Sequence, residues 1–148
     1  MDNNLLACSE RHISEVFKML SDKKAVEFNQ GLEAKLITKE IGQQIQRLKC
    51  KRIWLAYDRP DELPHVSAAY RYLGSPKHDK VSVYVLAGYR GDTLEKAESR
   101  CIEIVKIGAY PFMMLYQPDQ KIKYSKEWRA LHRKWMRPAA WKSYMVAK

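Results

Sequence analysis

A short apolar segment, a polar turn and an amphipathic helix recur along this chain about every 22 to 29 residues. The apolar segments read Asn3–Cys8, Ala25–Phe28, Arg52–Tyr57, Val81–Ala87 and Tyr110–Tyr116. Few folds accept that alternation. Strands separated by helices lie parallel, because each helix returns the chain to the edge it left, and ligands bind where the strands end. Val81–Ala87 and Tyr110–Tyr116 are apolar at nearly every position, which predicts burial on both faces. Five parallel strands with four intervening helices are expected, as a half-barrel or an open doubly wound sheet.

The helix signals agree with this frame. Ser9 caps a first helix whose stripe is Ile13, Val16, Phe17 and Leu20. A second starts near Thr38 and turns Ile41, Ile45 and Leu48 inward. A third opens after Asp58-Arg59-Pro60, with proline in its first turn, and is striped by Leu63, Val66, Tyr70 and Leu73. Asp92-Thr93-Leu94-Glu95 reads as a capping box with Asp in the Ser/Thr place, and Gly108 suits the end of that fourth helix. Leu94, Ala97, Cys101 and Ile104 form its inward face. After Tyr116 the period breaks into a polar loop over Gln117–Lys123 and a helix over Lys126–Trp135, and Arg137–Lys148 has no clear period.

Domain organisation follows as a β/α body over 1–120 with a basic helical extension, 121–148, packed on it. The net charge of +10 sits mainly in that extension, where nine Lys/Arg face a single acidic residue. Cations there would neutralise phosphates, and Trp128, Trp135, Trp141 and Tyr144 would stack on bases, so nucleic-acid binding through 121–148 is one reading. The other is a helix whose tryptophans pack on the body while its charges stay in water. No apolar run is long enough to span a membrane, and Met1–Glu10 lacks the features of a secretory signal, so no membrane contact and a cytoplasmic location are expected. Cys8, Cys50 and Cys101 have no ligand spacing and are expected as reduced thiols in or near the core. His12, His65, His78 and His132 fall in or beside helices, and no nucleophile–base pair stands out.

The strand ends carry Ser9, then Asn29-Gln30-Gly31, then Asp58-Arg59-Pro60, then Gly88-Tyr89-Arg90-Gly91, then Gln117-Pro118-Asp119. Parallel strands would bring these sets to one rim. Asn29 and Gln30 either offer amides there or form a solvated loop, and Gly31 allows close backbone approach or positive φ. Asp58 either accepts hydrogen bonds from ribose hydroxyls or caps the third helix. Gly88 either lies under a flat ligand or only shapes a turn.

The run Val26-Glu27-Phe28-Asn29-Gln30-Gly31-Leu32-Glu33-Ala34-Lys35-Leu36-Ile37 resembles a segment of the radical S-adenosylmethionine superfamily. So do Arg52–Asp58, Val83–Tyr89 and Pro111–Tyr116, and Asp2–Leu6 looks like the start of that region. The likeness covers residues 1–137, in order and spacing. It implies a (β/α)6 partial barrel in which a Cys-x3-Cys-x2-Cys loop holds a [4Fe–4S] cluster. The cluster's fourth iron binds S-adenosylmethionine, and electron transfer to the sulfonium gives a 5′-deoxyadenosyl radical. The five expected strands match family strands two to six. The first strand and its cysteine loop have no counterpart here, and the Gly-Gly-Glu signature of strand two is missing. The chain is therefore expected to be a fragment, a truncated reading frame or a descendant that lost the chemistry, and inactive by itself on an unknown substrate.

Carried over by position, the resemblance places Asp2, Asn3 and Asn4 at the amino end of S-adenosylmethionine. Asn29 and Gln30 stand on family strand three, and Asp58 meets the ribose from strand four. Leu86, Ala87 and Gly88 on strand five line the adenine, while Met113 and Tyr116 on strand six lie near adenine or substrate. A body lacking its first βα unit is expected to be marginally stable or to self-associate through the exposed edge of its first strand. A non-catalytic scaffold using that edge is a further alternative.

Overall fold

The computed structural model describes residues 4–76, 80–118 and 121–145. Among them four strands and six α-helices follow in the order α1 (Glu10–Ser21), β1 (Val26–Leu32), α2 (Lys39–Arg47), β2 (Cys50–Tyr57), α3 (Leu63–Tyr72), β3 (Val81–Ala87), α4 (Leu94–Ile107), β4 (Tyr110–Leu115), α5 (Lys126–Trp135) and α6 (Pro138–Met145). Three helices begin as their sequences require. The hydroxyl of Ser9 accepts the His12 amide at 3.3 Å, that of Thr38 accepts the Ile41 amide at 3.2 Å, and that of Thr93 accepts the Lys96 amide at 3.3 Å. The cap of α4 is thus Thr93 and not Asp92, which is engaged elsewhere. Gly108 ends α4 in the left-handed region at φ +100°.

All four strands are parallel, in the order β1-β2-β3-β4. Each crossover joins strands that are neighbours in the sheet, so right-handed connections stack every crossover helix on one side. The sheet is singly wound and open, and the doubly wound alternative is excluded. On the helix side Val83, Val85 and Ala87 are fully buried, as are Ala97, Cys101 and Ile104 of α4 and Val66 and Ala69 of α3. Burial on both faces, expected from the apolar runs, is complete on this face and reaches only Trp54 and Ser82 on the other. The opposite face leaves Ala56, Tyr84, Leu86 and Phe112 half-buried and Arg52 and Met114 exposed. Its aromatic side chains shelter one another. Trp54 stacks on Tyr84 at 4.2 Å, Phe112 meets both edge-on at 5.4 and 5.8 Å, and the Arg52 guanidinium lies 5.9 Å from the Trp54 ring.

The expected first strand, Asn3–Cys8, is not a strand over its described part. Leu5–Ala7 forms one 3-10 turn instead, and only Leu6 is buried. Four apolar residues between Asn4 and Ser9 are too few to fix a pleat, and a run that short does not separate strand from helical turn. Five strands become four, and the sheet edge falls on β1. Its pairing with β2 slips between Val26 and Glu27 and again between Phe28 and Leu32. Such irregularity blunts an edge against pairing with another chain.

Helices α2 and α3 touch at Gly42. A β-carbon there would lie 2.5 Å from the carbonyl oxygen of Tyr72, which is rigid backbone. Gly42→Ala gains about 1 kcal/mol of helix propensity but must push the helices apart, an overpacking cost of roughly 1–3 kcal/mol. A net loss of stability is expected in urea unfolding. A variant as stable as the parent would show that this contact yields freely.

The extension packs on the body through its aromatic residues. Trp135 is fully buried, and its indole N–H donates to Glu98 of α4 at 3.3 Å. Lys134 reaches the same carboxylate, and the Trp135 ring stacks on Tyr144 at 5.4 Å. Trp141 meets Tyr110 at the start of β4, 5.3 Å between centroids. Helix α6 occupies the stretch where the sequence shows no period. No helix among the described residues is long and apolar enough to cross a membrane.

Candidate functional site at the strand tips

Parallel pairing puts the C-terminal ends of all four strands at one rim. A cavity of about 300 Å³ opens there, beyond the tips of β1 and β2. Gly31 and Ala56 form its floor; both are small, and the Tyr84 ring lies across them from the open face of the sheet. At φ +77°, Gly31 also adopts a backbone conformation that a side chain would strain. Glu33 and Lys35 come from the turn after β1, Asp58 from the end of β2, and Glu62 and His65 from the entry of α3. Asn4 closes the cavity from the N-terminal segment.

The polar groups fall into two clusters. In the first, the Asn4 amide donates to Glu33 at 2.7 Å and Lys35 pairs with the same carboxylate. The Lys35 hydrogen bond, followed by that from Asn4, holds the Glu33 carboxyl below its ordinary range against the pull of burial. The amide oxygen of Asn4 is shielded from solvent and has no hydrogen-bond partner. In the second cluster, Glu62 accepts the backbone amides of Asp58 at 2.8 Å and Arg59 at 3.1 Å, and pairs with the Arg59 side chain at 3.3 Å. Glu62 therefore secures the start of the Pro60–Glu62 turn, and the Asp58 carboxylate is left without a hydrogen bond among the described residues. Crowding by the surrounding protein, then the nearby Glu62 charge, pushes the Asp58 carboxyl above its usual range. Asp58 is nonetheless solvent-accessible, which keeps that effect weak.

A buried polar centre lies beside this cavity, under the β3 tip. The Arg100 guanidinium donates to both oxygens of Asp92, at 2.7 and 3.1 Å, and to the carbonyl of Leu86 at 2.7 Å. Asp92 in turn accepts the Gly88 amide at 2.8 Å. On the far side of the Gly88 backbone, the Tyr124 hydroxyl donates to the carbonyls of Tyr116, at 2.7 Å, and Gly88, at 3.4 Å. Fully buried Tyr57 donates its hydroxyl to Glu103 at 2.8 Å, and burial followed by that carboxylate raises its pKa strongly.

Of the residues expected at the site, Asn4 and Asp58 line the cavity, together with Gly31 and Arg59 from the polar turns. Asn29 and Gln30 are exposed on β1 outside it, and the Asn29 carbonyl accepts the Tyr84 hydroxyl at 3.2 Å. Leu86 and Gly88 spend backbone groups on the Arg100–Asp92 centre, and the space over Gly88 is filled by the Tyr124 ring. Ala87 and Met113 are fully buried on the helix side, so their side chains do not reach the open face. Tyr116 packs edge-on against Tyr89 at 4.8 Å. Asp2, Asn3, His78 and Asp119 lie outside the described residues. Glu33, Lys35, Asp61 and Glu62 are polar cavity residues that sequence reasoning passed over, and His65, read there only as a residue in or beside a helix, joins them. Glu62 carried a signal, standing three residues after the residue that opens the helical turn, as in a capping box.

The cysteines do not suit an iron–sulfur cluster. Cys101 lies deep under the sheet in α4, Cys50 at the opposite end of β2 from the rim, and Cys8 before α1. Burial raises the thiol pKa of both Cys50 and Cys101, against the thiolate form that iron requires. Among the described residues no group of His, Cys, Asp and Glu side chains converges to hold a metal ion. No family model, no curated protein and no solved structure matches this chain.

Proposed function

We propose that the cavity at the β1 and β2 tips binds the adenosyl moiety and amino group of S-adenosylmethionine, and that the open sheet is part of a (β/α)6 partial barrel of the radical S-adenosylmethionine type. The observation that carries this reading is the pairing of two unspent acceptors in one cavity: the shielded Asn4 amide oxygen and the Asp58 carboxylate. The first suits an ammonium or hydroxyl donor and the second the ribose diol. Charge supports it as well. Four carboxylates, from Glu33, Asp58, Asp61 and Glu62, outnumber the cations of Lys35 and Arg59 along the lining, which favours a ligand carrying a sulfonium and an ammonium. Glu33, held ionised by Lys35 and Asn4, is the natural partner of the ammonium.

This chain's residues bind and orient; they do not hold the cluster. S-adenosylmethionine supplies a polarised carbon–sulfur bond when bound, and radical chemistry on it needs thiolates from outside the described residues. The proposed role is therefore cofactor placement within a larger radical-enzyme unit, on a substrate that the cavity does not specify.

Calorimetric titration of the full chain with S-adenosylmethionine tests this. Asp58→Ala is expected to weaken binding roughly 10- to 150-fold, since hydrogen bonds to a charged group contribute about 1.5–3 kcal/mol. Asn4→Ala should weaken it too, and S-adenosylhomocysteine, lacking the sulfonium charge, should bind less tightly. No binding at millimolar concentration, or binding indifferent to both substitutions, would remove the proposal.

A further inference from the structure

Helix α5 is amphipathic in an unusual proportion. Its apolar side, Trp128, Leu131 and Trp135, is spent on the body. Its other side carries Lys126, Arg129 and Arg133, with Arg137 in the turn that follows, all exposed. At 3.6 residues per turn the three cations of the helix fall within a stripe roughly 60° wide and about 10 Å long, and Arg137 follows in the turn beyond its end. Among the described residues none of them forms an ion pair, whereas the neighbouring Lys134 is paired with Glu98. Arg133 and Arg137 line one shallow groove together with Ala130, Ala139 and Lys134. The stripe also has a defined origin. Tyr124, just before α5, is bonded to the Gly88 and Tyr116 carbonyls, which fixes the first turn of the helix at the rim. Beside that point Tyr89 is 42% exposed, rests edge-on against Tyr116 and has the Arg90 guanidinium 5.6 Å from its ring.

We propose that α5 and the Tyr89 loop form a binding surface for a single strand of nucleic acid, with Lys126, Arg129, Arg133 and Arg137 following successive phosphates and Tyr89 stacking on a base at the rim. Regular spacing of the cations along a straight line fits a repeating anion. A flexible strand can follow that line, whereas the rigid backbone of a duplex curves away from it after a few phosphates. The adjacent open aromatic ring separates a nucleic acid from an acidic polypeptide. A lipid surface is disfavoured because the apolar side of the helix is already buried. This surface is separate from the cavity and stands without it.

Fluorescence anisotropy of a labelled oligothymidylate with the full chain provides the test. Four phosphate contacts on a single strand give a salt slope of about −2.8, so affinity should fall roughly 50-fold between about 50 and 200 mM salt. The Arg129→Gln/Arg133→Gln double variant should halve that slope, leaving a fall of roughly sevenfold over the same range. Tyr89→Ala should weaken binding about tenfold without changing the slope. Salt-independent affinity, a slope unmoved by the double variant, or tighter binding of an equal-length duplex, polyglutamate or anionic vesicles would each overturn the proposal. Because all the altered residues are exposed, an unchanged far-ultraviolet dichroism spectrum confirms that the variants compared are folded.

Discussion

Asp92→Ala is expected to cost roughly 3–5 kcal/mol of folding free energy, the range seen when one partner of a buried ion pair is removed. The side chains of Arg100 and Asp92 are each only 7% exposed, so water cannot take over the lost partner. Without Asp92 the guanidinium keeps a single acceptor, the Leu86 carbonyl. Its Nε is already without a partner, which leaves no reserve. The Gly88 amide loses its acceptor as well, so the β3–α4 turn is released at the same time. Arg100→Met should cost less, because Asp92 would still accept the Gly88 and Thr93 amides. The Arg100→Met/Asp92→Leu double variant should recover part of the loss, since neither charge is then stranded. Urea unfolding of the three variants decides it, and a double-variant loss equal to the sum of the two single losses would show that the pair itself contributes little.

Trp135→Ala is expected to be as damaging, by roughly 3–5 kcal/mol for truncation of a buried tryptophan. The loss is not confined to the ring. Tyr144 loses the surface it stacks on, and Glu98 keeps only Lys134. Helices α5 and α6 should then exchange their amide hydrogens much faster than the sheet does. Trp135→Phe should retain most of the packing and lose chiefly the indole hydrogen bond, about 1 kcal/mol. Uniform destabilisation of sheet and extension, with no excess exchange over 126–145, would show that the two parts unfold as one unit.

The parts of this fold that announce themselves are those fixed by local chemistry. Ser9, Thr38 and Gly108 stand at helix ends in the sequence and in three dimensions because capping depends on a few adjacent atoms. Val81–Ala87 is a strand to the residue, since its apolar length admits little else. What stayed hidden depends on distant partners. Asp92 reads locally as a helix cap, yet the buried guanidinium of Arg100 claims both its oxygens and the cap passes to Thr93. β1 runs on through Asn29, Gln30 and Gly31 to Leu32, polar residues that the apolar pattern excludes, because one face of the sheet is left uncovered there. Leu5–Ala7 is apolar, but it is built of good helix formers and has no strand beside it among the described residues to supply hydrogen bonds. At the site, Asp58 was legible from its position after an apolar strand. Asn4 with Glu33, joined across 29 residues of sequence, was not.

The order β1-β2-β3-β4 also bears on how the chain is made. Each strand from β2 to β4 is paired with the one translated just before it, so none of these pairings waits for a distant segment to leave the ribosome. Each new βα segment finds its template already in place, and the sheet can grow in the direction of synthesis by adding one strand at a time.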